Sequence, residues 1–303
     1  MSSMRTFVPI LIFIFINMGA MLAEAQTKKL KVFISVDMEG VAGVVTADQL
    51  GPGGFEYQEF RGFMTAEALA AVQSAKESGA TEIVVADSHG NGENLLIDKF
   101  PADVRLIRSW PRQLGMMAGI DSTFDAAIFI GYHASTNNPK GVRAHTFSSA
   151  TLTRVAINGA VVSEGSWNAA IAGHFSVPVI LVSGDDAAVA ELSEQIGKVE
   201  TAIVKNHLSF HSASTLTPQA AQQLIAQKVK AALGKLHEFK PFKVSAPIHI
   251  DVSFKHYQPP ELLAYLRGVE RTDSHSIRYT VKDMVEASEF IEFVTGYNPE
   301  LQP

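Results

Sequence analysis

Four short stretches of the chain are apolar almost without interruption: Leu30 to Val36, Glu82 to Ala86, Asp125 to Gly131 and Val177 to Val182. They are rich in Val and Ile, a pattern that suits parallel strands buried on both faces better than half-exposed antiparallel ones. Between the first two, Thr65 to Ser78 sets Ala68, Leu69, Val72 and Ala75 at helical spacing, with Gly79 as a C-terminal stop. A shorter helix is expected over Asn168 to Gly173, leading into the Val177 strand. Strands alternating with helices predict an α/β fold, a mostly parallel sheet flanked by helices.

The rest of the chain reads differently. Thr153 to Val162 holds Asn158-Gly159 between two apolar runs, as a hairpin turn would. Leu216-Thr217-Pro218 opens a helix, with Thr217 as cap, Pro218 in the first turn, and Leu224, Ile225, Val229 and Leu233 on one face. After a linker at Lys240-Pro241-Phe242, the pattern is strand, helix, strand, helix: Ile248 to Phe254, Pro260 to Leu266, Ser276 to Val281 and Met284 to Thr295. The expected organisation is an α/β unit over residues 26–205 and a smaller α+β C-terminal domain over residues 206–303.

The first 25 residues change the picture. Arg5 precedes the apolar run Phe7 to Ile16, and Ala23-Glu24-Ala25 supplies small residues around a cleavage point before Gln26. That is the layout of a secretory signal peptide, and the run is short for a membrane span. An exported protein, periplasmic or secreted, is expected, with no stable membrane insertion after cleavage. The 303 residues carry a net charge of -6 and no basic run, which gives nucleic-acid binding little electrostatic support. With no cysteine, there are no disulfides, and any zinc must be held by His, Asp or Glu.

The candidate chemistry lies at the strand ends. The first strand closes on Asp37 and Glu39, whose i, i+2 spacing points both carboxylates to one face. Two such charges repel unless a proton or a cation lies between them. The second strand ends in Asp87-Ser88-His89-Gly90 and the third in Gly131-Tyr132-His133. In open α/β sheets ligands bind beyond the carboxyl ends of the strands, so these groups are expected to meet in one crevice. His145 follows in the loop after His133, and Glu164 lies just beyond the hairpin. Asp37, Glu39, His89, His133 and Glu164 make a nitrogen and oxygen donor set that suits two ions about 3.5–4 Å apart, as in aminopeptidases and phosphatases.

Ser35-Val36-Asp37-Met38-Glu39-Gly40, with Asp87-Ser88-His89, Gly131-Tyr132-His133-Ala134, Ala144-His145 and Glu164-Gly165, resembles the D-aminopeptidase family of dinuclear zinc peptidases, first met in a dipeptide-transport operon. The likeness runs in order from about Lys31 to Asp186, and more loosely through Val281 to Ala287. It implies that Asp37, Glu39, His89, His133 and Glu164 bind two zinc ions per chain, with Asp37 bridging. It implies that His145 is the catalytic histidine, as general acid/base, as stabiliser of the tetrahedral intermediate, or as nucleophile. It also implies short peptides with N-terminal D-amino acids as substrates and a ring-shaped homo-oligomer, with a decamer as a candidate ring size. The leader departs from the best-known relatives, which work inside the cell.

Other residues have plainer readings. Asp87 orients His89, binds metal itself or caps a turn. Asp185 and Asp186 follow the fourth strand and suit a helix N-cap or a substrate amine. Trp110 and Trp167 are pocket walls or packing residues. His207 and His211 have i, i+4 spacing, but Ser209 and Ser212 around them point to a loop. Like His174, His237, His249, His256 and His275, they are assigned surface or structural roles. Two other functional classes fit the composition: a periplasmic peptide-binding protein of a transport system, and a dinuclear metal hydrolase acting on another amide or an ester. The first requires no convergent acids and histidines. Against nucleotide substrates of the second, no phosphate-cradling glycine loop is present.

Overall fold

Leu30–Val36 forms the strand its pattern predicts, β1, and is buried on both sides: Val32, Ile34 and Val36 enter one core, Phe33 the other. The fold was obtained as a computed structural model that describes residues 29–297. The segment read as a leader, residues 1–25, lies outside the described residues. After β1 come α1 (Tyr57–Glu77), β2 (Ala80–Asp87), β3 (Val104–Ile107), β4 (Ala126–Tyr132), β5 (Leu152–Ile157) and β6 (Ala160–Val161). The middle of the chain adds α2 (Glu164–His174), β7 (Val179–Asp185), α3 (Asp186–Ile196), β8 (Glu200–Ser209), β9 (Ser212–Thr215) and α4 (Pro218–Leu233). It closes with β10 (Ile248–Phe254), α5 (Gln258–Leu263), β11 (Val269–Arg271), β12 (Ser276–Val281) and α6 (Met284–Gly296).

Two sheets result. The larger runs β3-β2-β1-β4-β7-β8-β9 and is parallel except for β9, which pairs antiparallel with β8. The smaller, β11-β12-β10-β5-β6, is antiparallel throughout. On one face of the parallel sheet, Ala68 and Val72 of α1 and Ile225 and Val229 of α4 cover Val32, Ile34 and Ile128. On the other face α2, α3 and the antiparallel sheet close over Phe33 and Phe129, bringing Ile171, Leu192, Val155, Ile250 and Val252. This is the expected class, a mostly parallel sheet flanked by helices with an added α+β portion. Sheet membership does not follow chain order, however. The β5–β6 hairpin joins β10, whereas β9 and α4 stay with the parallel sheet, so the division expected at residue 205 falls inside β8.

The hairpin turn is as its sequence predicts: Asn158 and Gly159 have φ of 50° and 85°, the backbone that a two-residue turn of this hand requires. Helix α1 begins at Tyr57, ahead of the expected Thr65. Gly62 interrupts its first turns and hides their periodicity, although Phe60, Phe63 and Met64 pack inward. No helix among the described residues is long and apolar enough to cross a membrane.

The order in which strands are added to the sheet reverses between β1 and β4, although the two strands are parallel. Strands β1, β2 and β3 progress one way and β4, β7 and β8 the other, which leaves a crevice at the carboxyl ends of β1 and β4. The two strand ends approach backbone to backbone: the Asp37 N–H donates to the Ile130 carbonyl (2.8 Å) and that of Gly40 to the Gly131 carbonyl (2.7 Å). Gly131 has φ of 72°, and a Cβ there would lie 2.2 Å from the Asp37 carbonyl oxygen. A residue with a side chain would push the end of β1 away.

Candidate metal centre

Asp37 and Glu39 leave β1 on the same side, and His89 comes to them from the loop after β2. His89 Nδ1 lies 2.9 Å from Glu39 Oε2 and 3.2 Å from Asp37 Oδ1, while its Nε2–H donates to the Leu50 carbonyl (2.7 Å). The loop carrying His89 is tied down by Asp87. One Asp87 oxygen accepts the backbone N–H groups of Asn94 (2.6 Å) and Leu95 (2.7 Å). The other accepts the Asn94 amide (2.9 Å), which also donates to the His89 carbonyl (2.7 Å). Asp87 therefore braces the loop backbone and bonds through Asn94, not directly to the His89 ring. Trp110 adds a bond from its indole N–H to the Gly90 carbonyl (2.8 Å).

His133 follows β4 directly. Its Nδ1–H donates to the Ala134 carbonyl (3.0 Å), which turns Nε2 toward Asp37 Oδ2 (3.3 Å) and Glu164 Oε1 (3.5 Å). Glu164 is the first residue of α2, where Ser163 and Ser166 exchange side-chain and backbone hydrogen bonds as a reciprocal cap. Its Oε1 accepts the Phe147 N–H (2.6 Å) and lies 3.6 Å from His145 Nε2. The His145 ring stacks on His133 with centroids 4.0 Å apart, and its Nδ1–H donates to the Arg143 carbonyl (2.8 Å). On either side of His145, Arg143 and Phe147 adopt φ of 56° and 60°. Such left-handed residues are uncommon outside glycine and gather at functional sites. Trp167 packs edge-on against Phe147 beneath this segment.

Each histidine thus commits its outer nitrogen to a backbone carbonyl and turns the inner one toward carboxylates, the arrangement that fixes a ligand histidine's tautomer. The electrostatics agree. Burial, then the charge of Glu39, push the Asp37 carboxyl up. Burial also opposes charge on Glu39, but His89 and the other two imidazoles outweigh it and hold the group well below the usual carboxylate range. Burial disfavours protonated His89 and His133, yet Glu39 and Glu164 respectively win and raise both well above the ordinary histidine value. Carboxylates that favour positive charge on their buried neighbours in this way would equally favour a cation in place of those protons.

The donor atoms fit one. Asp37 Oδ2 and His133 Nε2 are buried, face each other and make no hydrogen bond. Buried polar atoms are rarely left so without a bound group. Donor atoms of Asp37, Glu39 and His133 lie within 4.8 Å of one another, as do those of His133, His145 and Glu164. Asp37 joins the two halves, with one oxygen toward His89 and the other toward His133. By distance alone His145 also qualifies as a ligand. Its side chain is 16% exposed, against 1% for His133 and 7% for Glu164, which leaves it the member of that group open to a substrate.

Two buried charges beside the centre escaped the sequence reading. Lys205, on β8, donates to the carbonyls of Glu39, Val41 (3.0 Å) and Val44 (2.7 Å). Burial pulls its ammonium down to about 8, with Asp185 and Glu67 acting the other way. Glu67, on α1, accepts the Ala42 N–H (3.0 Å), and burial pushes its carboxyl up to about 7. A lone Lys or Glu inside an apolar run is the signal both gave. Asp185 caps α3 through the Ala188 N–H (2.7 Å) and also holds the Val142 N–H (2.8 Å). Asp186 accepts the His207 N–H (2.8 Å). His207 lies on β8 and His211 in the turn after it, so the two do not share a helix face.

A family model described as Peptidase_M55: D-aminopeptidase matches residues 30–293. The D-aminopeptidase of Bacillus subtilis (strain 168) is 34% identical over 259 residues, which span 85% of this chain and 94% of that protein. Among solved structures, the Zn-dependent D-aminopeptidase DppA from Bacillus subtilis, described as a self-compartmentalizing protease, superposes with a TM-score of 0.85 at 33% identity. The match covers 88% of this chain and 97% of that one. The crevice at the β1–β4 switch point therefore belongs to a metallo-aminopeptidase, and the chain is a member of the D-aminopeptidase family.

Proposed function

We propose that this chain is an exported aminopeptidase that removes D-amino acids from the N-termini of short peptides, using two zinc ions held by Asp37, Glu39, His89, His133 and Glu164. The observation that carries the reading is the pair of orphaned, buried donor atoms, Asp37 Oδ2 and His133 Nε2, in the middle of that set. Asp37, which faces both halves, would be held in common, with Glu39 and His89 completing one half and His133 and Glu164 the other. Zinc there supplies Lewis acidity for the scissile carbonyl and for water. The protein's own part is to fix the donors, exclude bulk water and move protons. His145, with Nδ1 committed to the Arg143 carbonyl, has Nε2 free to take a proton from the attacking water and return it to the leaving amine.

Export is supported by the layout of residues 1–25. Assembly into a homo-oligomer, with a decamer as the ring size to test, is supported by the self-compartmentalizing description of the Bacillus subtilis structure. Glu39→Ala and His145→Ala separate binding from proton handling. The first is expected to lose zinc and activity together. The second should keep zinc while activity falls about 10²–10⁴-fold, the usual contribution of a positioned acid or base. Full peptidase activity in either variant would refute this assignment.

A further inference from the structure

We infer that Lys205 is a positioning residue of the metal centre, and that it sets metal affinity by clamping the backbone from Glu39 to Val44. The inference rests on the reading of Glu39 as a zinc ligand. Lys205 is 1% exposed and enters from β8, directly across the sheet from Asp185. Its Nζ is bonded to three carbonyls, those of Glu39, Val41 and Val44. An ammonium has three protons and no acceptor, so all three are used on the backbone and none is left for substrate.

The segment's own N–H groups leave the carbonyls of Glu39 and Val44 to Lys205, and only Val44 shares the Val41 carbonyl with it. Gly40 donates to the Gly131 carbonyl, Val41 to Met38, Val44 to Val41, Ala42 to Glu67 and Gly43 to Thr215 Oγ1. Three buried carbonyls therefore converge on one point, and the point is filled by a charged donor. Electrostatics alone would argue against a cation here, because an ammonium beside a dication site repels the incoming ion. Its use lies in geometry. With the Glu39 carbonyl pinned, the root of that side chain is fixed, and Glu39 Oε2 is held 2.9 Å from His89 Nδ1. A lysine from the far side of the parallel sheet thus acts on the site through a ligand's backbone.

The test compares the wild-type protein with Lys205→Met, a chain of similar length without donors. Zinc affinity is measured by chelator competition, kcat and KM are separated, and hydrogen exchange at Gly40 to Val44 is followed in both zinc-free proteins. The expected results are zinc affinity lowered about 10- to 100-fold, as for other residues that orient metal ligands; kcat lowered with KM little changed; and faster exchange confined to residues 40–44. Zinc affinity within twofold of wild type, with only a lower melting temperature, would make Lys205 a packing residue and overturn the inference. The wild-type exchange can still refute the inference where Lys205→Met does not fold. Amides of Gly40 to Ala42 should already be protected without zinc, and free exchange there would refute a clamp. Failure of the wild-type protein to bind zinc would instead overturn the reading of the site, and this inference with it.

Discussion

Glu67→Gln isolates the cost of a buried carboxylate next to the metal centre. Glu67 is fully buried on α1; one oxygen accepts the Ala42 N–H and the other makes no hydrogen bond. Burial raises its carboxyl from 4.5 to about 7. An acid that is harder to ionise in the folded state binds more protons there than when unfolded. Stability is therefore highest below the unfolded value and is lost as pH rises from about 4.5 to 7. The shift of 7 − 4.5 = 2.5, at 1.36 kcal/mol per pH unit, makes the loss about 3 kcal/mol. Glutamine keeps the acceptor for Ala42 and cannot ionise. The assay is urea denaturation of the zinc-free proteins between pH 4 and 8, read as the stability difference at each pH so that other titrating groups cancel. The variant should gain about 3 kcal/mol on the wild-type protein between the two ends of that range. A difference that stays constant with pH would show that Glu67 does not titrate as argued.

Two further perturbations test the scaffold of the site. Gly131→Ala forces a left-handed backbone, worth roughly 1–2 kcal/mol by itself, and drives a methyl against the Asp37 carbonyl; thermal melting should show that loss, and zinc titration a weakened site, whereas wild-type values in both would contradict the close approach. Asn94→Ala leaves an Asp87 oxygen and the His89 carbonyl without their shared donor. It should cost about 1–3 kcal/mol and slacken the His89 loop, so chelator competition should find weaker zinc binding, and unchanged affinity would separate that loop from the site.

How far the sequence could be read depended on burial. β1, β10 and β12 begin and end where their apolar runs do: the buried centres of β1 and β10 leave little choice of residue, and buried residues close both ends of β12. The expected strand at Glu82 to Ala86 lies inside β2, and the Val177 run became β7 from Val179 to Asp185. β3, β9 and β11 are short and have no fully buried residue, and no periodicity marks them. The crevice was legible because Asp37, His89 and His133 all stand at carboxyl ends of strands that proved adjacent. The catalytic role of His145 rests on family resemblance, and Glu164 enters the donor set as the acid just beyond the hairpin; the stacking of His145 on His133 and the cap of α2 that presents Glu164 depend on three-dimensional placement. Lys205 and Glu67 could not be recognised, since their meaning lies in backbone groups more than twenty residues away in the chain. The same holds for the β5–β6 hairpin, whose partner β10 follows it by some ninety residues.

The most direct test of the central claim is zinc content of the purified protein, together with hydrolysis of D-Ala-p-nitroanilide and its L isomer before and after chelation. Two zinc ions per chain, with D-selective cleavage that chelation abolishes and added zinc restores, is the expected result. Protein that binds no metal, or that cleaves equally well after chelation, would contradict it.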